Sequence, residues 1–367
     1  MAPFITVNGG SFMMERQSNV AQAQIEPTTN NENRTHPYTK KRVSALIFLL
    51  VAIVLVALYS TITGSVKLSL HEVWEGLTSS KDPMLHTIVW ELRLPRIIVG
   101  LVVGMCLAVS GSIMQGVMKN PLADPGIIGV SSGAALMAVI IMILLPQYIL
   151  LLPIAAFSGG FVTAMLIYGL AWQNGSSPAR IILVGVAVNS VIGAFMSALM
   201  LLFSDRVQAV LPWMAGGISG ASWDQAKLVS IYALPALVLS LFAIKHIKIL
   251  NLGDEVAKIL GHNVERSRFF LILISTFLAG IAVSVSGLIG FVGLVIPHIM
   301  RMIVGNDYRY VLPLSALGGG VFLVFSDTIA RSWFDPIELP VGVLLSFLGG
   351  PFFLYILNKG GKTRAFN

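Results

Sequence analysis

The residues able to do chemistry in this 367-residue chain are few and scattered. "GVSSG" (129–133) has the spacing of a nucleophile elbow, and His298 lies farther along as a candidate base. An elbow needs a strand-to-helix turn, and no strand is readable there. Gly129, Ser131, Ser132, Gly133 and Ala134 more simply let membrane helices approach closely. An intramembrane serine hydrolase is therefore the weaker reading. "GGKT" (360–363) has the end of a phosphate-binding loop, but Ile356 stands where the first glycine is needed and no helix follows. ATP hydrolysis has no site here.

Ion-coupled transport needs ionisable groups at mid-membrane. Asp124, Asp327, Arg301 and Arg331 all fall near the ends of apolar segments, and the most central polar residue is Asn189. A transporter built on this chain draws its energy from another subunit. No resident metal or cofactor is expected, and Cys106, the single cysteine, permits no intrachain disulfide.

The elements that would position these residues are apolar. Hydrophobic residues make up 56% of the chain and charged ones 11%, with a mean hydropathy of +0.83. Soluble domains carry roughly 25% charged residues, so this chain has too little polar surface to face water all round. Residues 43–63 hold no charge and exceed the ~20 residues that span a bilayer as a helix. The apolar runs do not alternate with period two, as barrel strands would. The fold class is all-α and polytopic, with ten apolar segments: 43–63, 93–117, 126–145, 149–171, 180–203, 228–248, 268–286, 288–304, 311–331 and 339–357. The seventh and eighth are divided only by Ser286–Gly287 and read as two tightly turned helices or one broken one.

Most of the 24 Lys and Arg fall on one side if the N-terminus is cytoplasmic, which places both termini inside. The net charge of +7 is thus a matter of topology and needs no nucleic acid. Residues 1–42 are polar and read as a disordered cytoplasmic tail, 43–358 as the membrane domain, and 359–367 as a second cytoplasmic tail. Outside, "SLHEVWEGL" (69–77) carries a Ser69–Glu72 capping box and apolar residues Leu70, Val73, Trp74 and Leu77 at helical spacing; it reads as a short helix covering the bundle. Inside, "GDEVAKILG" (253–261) reads as a short helix with acids in its first turn and Gly261 past its end. Its ~7 residues rise about 10 Å and cannot span, and Val256, Ile259 and Leu260 form an apolar face with nothing evident to cover it.

"KNPLADPGIIG" (119–129) is a polar island between two apolar runs. Pro121 and Pro125 would stop one helix and restart the next. Non-helical backbone at membrane depth is tolerated only against protein or a watery path, so the stretch suits a gate, although a plain turn would look the same.

The segment "RLPRIIVGLVVGMCLAVSGSIMQGVMKNPLADPGIIGVSSGA" (93–134) resembles the FecCD-type permeases, as do "GDEVAKILG" (253–261), "GLIGFVGLVIPHIMR" (287–301) and "ELPVGVLLSFLGGPFF" (338–353). The resemblance runs from about 43 to 358. It implies the type II ABC importer permease fold with ten transmembrane helices in a prokaryotic cytoplasmic membrane. Further implied are a second permease subunit, two ATP-binding subunits, an extracellular substrate-binding protein, and iron–siderophore cargo, or alternatively haem or cobalamin. By the same resemblance, Arg93, Arg96 and Arg331 receive the binding protein. Asn120 and Leu122, with Ser176 and Ser177, form the cytoplasmic gate. Gly253, Val256, Ala257, Ile259, Leu260 and Gly261 form the ATPase coupling helix. Asn189, Gly193, Met196 and Ser197 line the pathway.

Overall fold

The computed structural model describes residues 39–364 apart from 65, 79–81, 174, 176 and 334–336, with side chains for 40–354. Among these residues every regular element is helical. The chain runs α1 (Thr39–Ile62), α2 (Leu70–Thr78), α3 (Leu94–Met118), α4 (Val130–Leu144), α5 (Leu152–Ala171), α6 (Pro178–Leu202) and α7 (Val207–Ala215). It continues as α8 (Trp223–Ser240), α9 (Ala243–Asn251), α10 (Asp254–Ile259), α11 (Val264–Ser286), α12 (Val292–Val304), α13 (Tyr308–Ser332) and α14 (Val341–Arg364). A short helix at Pro83–His86 and a π-helical stretch at Thr87–Arg93 lead directly into α3.

Each of the ten apolar segments contains a helix, but length and apolarity alone do not make ten crossings. Six helical stretches meet both criteria, or seven if α8 and α9, bent by 44° at their junction, are counted as one. Helices α4, α12 and residues 341–354 of α14 are apolar but shorter. The first helix begins at Thr39, inside the segment read as tail, and the remainder of that tail lies outside the described residues. The seventh and eighth segments are two helices, parted by residues 287–291 with Gly287 at φ 65°.

Helix α3 is the hub of the bundle, with nearly every residue from Ile97 to Met118 buried. Glycine allows its close crossings. A Cβ on Gly104 would stand 2.2 Å from the Gly319 carbonyl oxygen of α13, and one on Gly111 would stand 2.0 Å from that of Gly293 in α12. With little hydrophobic drive between helices in lipid, backbone approach of this kind is what makes dispersion contacts dense. Ser110 and Ser275 add a reciprocal hydroxyl link between α3 and α11 at 2.8 Å. These crossings position both ends of α3, and the polar clusters lie at those ends.

Two surface elements differ from expectation. The capping box of α2 forms, with Ser69 Oγ donating to Glu72 Oε2 at 2.7 Å and the Ser69 amide donating to the same oxygen at 2.6 Å. Only Val73 and Gly76 of this helix are buried, however, while Leu70 and Trp74 are exposed, so α2 covers little of the bundle. Helix α7 was not anticipated, although Val207, Val210, Leu211 and Met214 carry helical spacing. It is held at its end by the Gly217 amide donating to the Ser286 carbonyl at 2.8 Å, and by that of Gly342 donating to the Gly216 carbonyl at 3.0 Å.

Candidate functional site: polar clusters at the two ends of the bundle

Arg93, Arg96 and Arg331 converge at one end, but none is a free surface cation. Arg93 is buried at the start of α3, and its guanidinium donates to the carbonyls of Thr61 and Val66. Arg331 is buried near the end of α13 and donates to the Ser60 carbonyl and, at 2.8 Å, to the Ser60 hydroxyl. Both side chains reach the loop after α1, where each guanidinium comes within 3.1 Å of a Cβ position on Gly64. Arg96 forms a fork with Asp327 at 2.8 and 3.0 Å and a further pair with Glu338 at 3.1 Å. Burial opposes the charge on Glu338, but Arg96 beside it and the Ser219 hydroxyl hold its carboxyl below the usual range. A cavity of about 380 Å³ opens beside the three arginines, with Glu91, Ser219 and Glu338 also on its wall. Neither partner of Arg96 is near it in sequence, Asp327 being 231 positions away and Glu338 242.

The opposite end gathers the polar island and the short helix α10. Helix α3 stops before Pro121, because Lys119 caps it in the left-handed conformation at φ 50° and returns its amide to the Gln115 carbonyl. Asn120 Oδ1 accepts from the Leu122 amide at 3.0 Å, an Asx turn that satisfies the loop backbone locally. Asp124 caps a single 3-10 turn, Pro125–Ile128, by accepting from the Gly126 amide at 2.8 Å. Gly129, at φ 81°, then redirects the chain into α4. The prolines therefore mark the island, while Lys119 and Gly129 perform its two turns. Burial pushes the Asp124 carboxyl up, partly offset by the Gly126 amide.

This stretch is seated on α6. A Cβ at Gly185 would stand 2.2 Å from the Ile127 carbonyl oxygen. Asn189 Nδ2 donates to the Gly126 carbonyl at 3.4 Å, and its Oδ1 accepts from the Ser132 hydroxyl at 2.6 Å. Asn189 is thereby a packing asparagine that ties α6 to the island. Met196 is buried against Ala135, Val139 and Ile143, whereas Gly193 and Ser197 lie on the exposed side of α6. Ser177 caps α6 by accepting from the Arg180 amide at 3.3 Å and is exposed; no hydrogen bond joins it to Asn120 or Leu122. Ser176 lies outside the described residues. Ser131 and Ser132 begin a helix with no strand before them among the described residues, which removes the support for a nucleophile elbow.

Helix α10 stands between Gly253 at φ 98° and Gly261 at φ 80°. Ala257 is fully buried, anchoring one side, while Val256 and Leu260 are exposed and Ile259 is 85% exposed. Asp254, its first residue, accepts from Lys119 Nζ at 2.9 Å and from Arg268 at 2.8 Å. Burial opposes the charge on Asp254, but the hydrogen bonds from Arg268 and Lys119 hold its carboxyl below the ordinary range. The short helix is thus tied at its base to the first residue of the island.

Residues 49–359 match the model of the FecCD transport family. The chain is a FecCD transport protein. It is 41% identical over 326 residues to the hemin transport system permease protein of Yersinia pestis, covering 87% of this chain and 96% of that one. It is 36% identical to an Fe(3+)-citrate import system permease protein of Bacillus subtilis, with the same coverage of both. With the cobalamin import system permease protein of Halobacterium salinarum it shares 41% identity over 74% of this chain and 73% of that one. Among solved structures, an inward-facing metal-chelate type ABC transporter superposes with a TM-score of 0.78 at 29% identity, covering 86% of this chain and 99% of that chain.

This FecCD protein is accordingly a multi-pass membrane permease with the type II ABC importer fold. It is a transport component, as its permease relatives are. The serine-hydrolase alternative is not favoured by any of these relatives. Within the FecCD permease, the polar island, the capped end of α6 and α10 share one end of the bundle, and the three arginines share the other.

Proposed function

We propose that this chain is the membrane subunit of an importer that carries a ferric chelate of the siderophore class inward, driven by ATP hydrolysed on two partner subunits. The observation that carries the reading is α10. A helix exposing Val256, Ile259 and Leu260 at the end of a bundle, while its Ala257 side is packed, has the form of a plug for a groove on another protein. Burying those three side chains would contribute roughly 1.5–3 kcal/mol each. Its position beside the polar island would let movement of the plug reach the gate at Asn120 and Leu122. A second copy, or a homologous permease, would complete the pathway along the exposed side of α6, where Gly193 and Ser197 lie. Ten crossings with both termini cytoplasmic accord with the ten helical segments and with the distribution of Lys and Arg.

At the outer end, Arg93 and Arg331 donate to carbonyl oxygens and to the Ser60 hydroxyl, with no carboxylate at ion-pair distance among the described residues. The cavity beside them suits an acidic side chain of an extracellular binding protein. Haem is the second cargo reading, favoured by the 41% identity to a hemin permease over 96% of that relative.

The test replaces Ile259 and Leu260 with Asp in the full chain. Membrane insertion should be unchanged and co-purification of the ATP-binding subunits should fail. Normal co-purification would refute the plug. Cargo is separable: uptake into vesicles of the assembled importer, measured with ferric hydroxamate, hemin and cobalamin in parallel, should show the ferric siderophore as the preferred substrate.

A further inference from the structure

A second cavity, of about 330 Å³, lies at the α10 end of the bundle, where α3, α9, α12 and α13 meet. Lys119, Asn120, Asn251, Arg301, Asn306 and Tyr308 are on its wall, and no acidic residue is. Arg301 is half-buried. Its guanidinium donates to Gln115 Oε1 and shares a hydrogen bond with the Tyr308 hydroxyl. No carboxylate lies at ion-pair distance from it among the described residues. Of the acids nearby in the fold, Asp254 pairs with the wall's own Lys119 at 2.9 Å and with Arg268 at 2.8 Å, and Asp307 pairs with Lys248 at 3.1 Å, so neither meets Arg301.

A guanidinium drawn out of water without a counter-charge is costly unless something anionic completes it. The surroundings are built to hold it in place. Gln115 is buried, and its amide nitrogen donates to the Gly293 and Leu294 carbonyls at 3.3 Å each, which turns its oxygen toward Arg301. Asn120 has its oxygen occupied by the Leu122 amide, leaving its NH2 as a donor. The wall therefore offers one guanidinium without a carboxylate partner and several neutral donors around one open volume, and a guanidinium fork matches phosphate oxygens in geometry. Leu252, Met302 and Ile303 are exposed next to it in the chain, as apolar flanks would be at a lipid boundary. Basic pockets between transmembrane helices on the cytoplasmic side are suited to anionic headgroups.

We propose that this cavity binds a phosphate oxyanion through Arg301, carried either by an anionic phospholipid headgroup of the inner leaflet or by a soluble phosphoester. The bound group would bridge the ends of α3, α9 and α13 beside the polar island. The placement on the inner side rests on the reading of α10 as the ATPase contact.

The test uses the full-length chain in phosphatidylcholine nanodiscs and measures saturable binding of headgroup-labelled phosphatidylglycerol, with glycerol phosphate as the soluble probe. The variant Asn251→Asp/Asn306→Asp places negative charge on the rim without touching Gln115, Arg301 or Tyr308. Arg301→Gln removes the principal ligand. One saturable site per chain is expected, weakened about tenfold or more in each variant, as loss of a charge-assisted hydrogen bond implies. Displacement by glycerol phosphate identifies a soluble source, and failure to displace identifies the lipid. Absence of saturable binding by both probes would overturn the proposal. So would wild-type affinity in the rim variant, whose folding is checked by its unfolding temperature in phosphatidylcholine. Ile259→Asp/Leu260→Asp should leave phosphate binding intact. If that variant also keeps its ATPase partner, the functional reading falls while the phosphate site stands.

Discussion

Lys119 Nζ lies 2.9 Å from Asp254 Oδ1, joining the residue that ends α3 to the residue that begins α10. One partner caps a helix in a left-handed conformation, and the other is the base of the exposed apolar plug. The fully buried Arg268 holds the same carboxylate from the far side at 2.8 Å. The pair thus joins the base of α10 directly to Lys119, the first residue of the stretch that ends at Gly129.

Breaking this link should uncouple more than it unfolds. Both side chains of the Lys119–Asp254 pair are more than a third exposed, so its stability contribution is small, roughly 0.2–1 kcal/mol. Lys119→Gln should leave the unfolding temperature and ATPase co-purification nearly unchanged while lowering ATP-driven uptake severalfold. Transport at the wild-type rate in that variant would show that the pair transmits nothing.

The pH dependence of the same contact has a defined sign. The folded state holds the Asp254 carboxyl below its ordinary value, so its contribution is fully present above the unfolded value of about 3.9 and is lost as pH falls through the lower folded one. Binding of the ATP-binding subunits should therefore show no Asp254-dependent change between about pH 6 and 8. A titration in that range abolished by Asp254→Asn would contradict the geometry.

Asp124 behaves oppositely. Burial raises its carboxyl pKa, so the protonated form is favoured by folding, and that preference is lost as pH rises through the folded value. Asp124→Asn keeps an oxygen to accept from the Gly126 amide and removes the buried charge, so it should match or exceed the wild type in thermal stability at neutral pH. Asp124→Ala loses the cap and should cost about 1 kcal/mol. Thermal unfolding of both variants across pH separates the two effects.

The Arg96–Asp327 fork is buried, with Asp327 only 4% exposed. Removing Arg96 alone should strand that carboxylate and cost about 3–5 kcal/mol, whereas Arg96→Leu/Asp327→Leu should recover most of the loss. If the double variant folds and still binds the extracellular protein, docking rests on Arg93 and Arg331.

Close helix crossing gives the sharpest stability expectation. Gly111→Leu must separate α3 from α12, because the first added carbon already overlaps the Gly293 carbonyl. Overpacking typically costs 1–3 kcal/mol, and a backbone clash sits at or above the top of that range. The folded fraction after solubilisation should fall sharply, while Ser112→Ala on the next residue should be tolerated, its hydroxyl being buried without a partner.

Much of the fold was legible from local pattern. Hydropathy is a sum over neighbours in sequence, so the membrane class and the ten helical segments could be read directly. The Ser69–Glu72 box and the apolar face of 253–261 are likewise short-range relationships, set by helical spacing and by residues three or four apart. Family motifs in order along the chain added the permease fold. Residues 204–227 were read as connection because α7 is brief and its spacing is visible only once a helix is suspected.

Tertiary structure decided which polar groups meet. Arg93, Arg96 and Arg331 read as outward cations, since nothing in their local sequence names Thr61, Asp327 or Ser60 as partners. Asn189, which the resemblance puts on the pathway, also meets Gly126 and Ser132, and its own sequence neighbours name neither. The turns of the polar island fell to Lys119 and Gly129, both left-handed, and not to the prolines that mark it in the sequence. A side chain's exposure and partners depend on the relative placement of helices far apart in sequence. That placement is set by glycine crossings such as Gly111 on Gly293, which no local pattern reports.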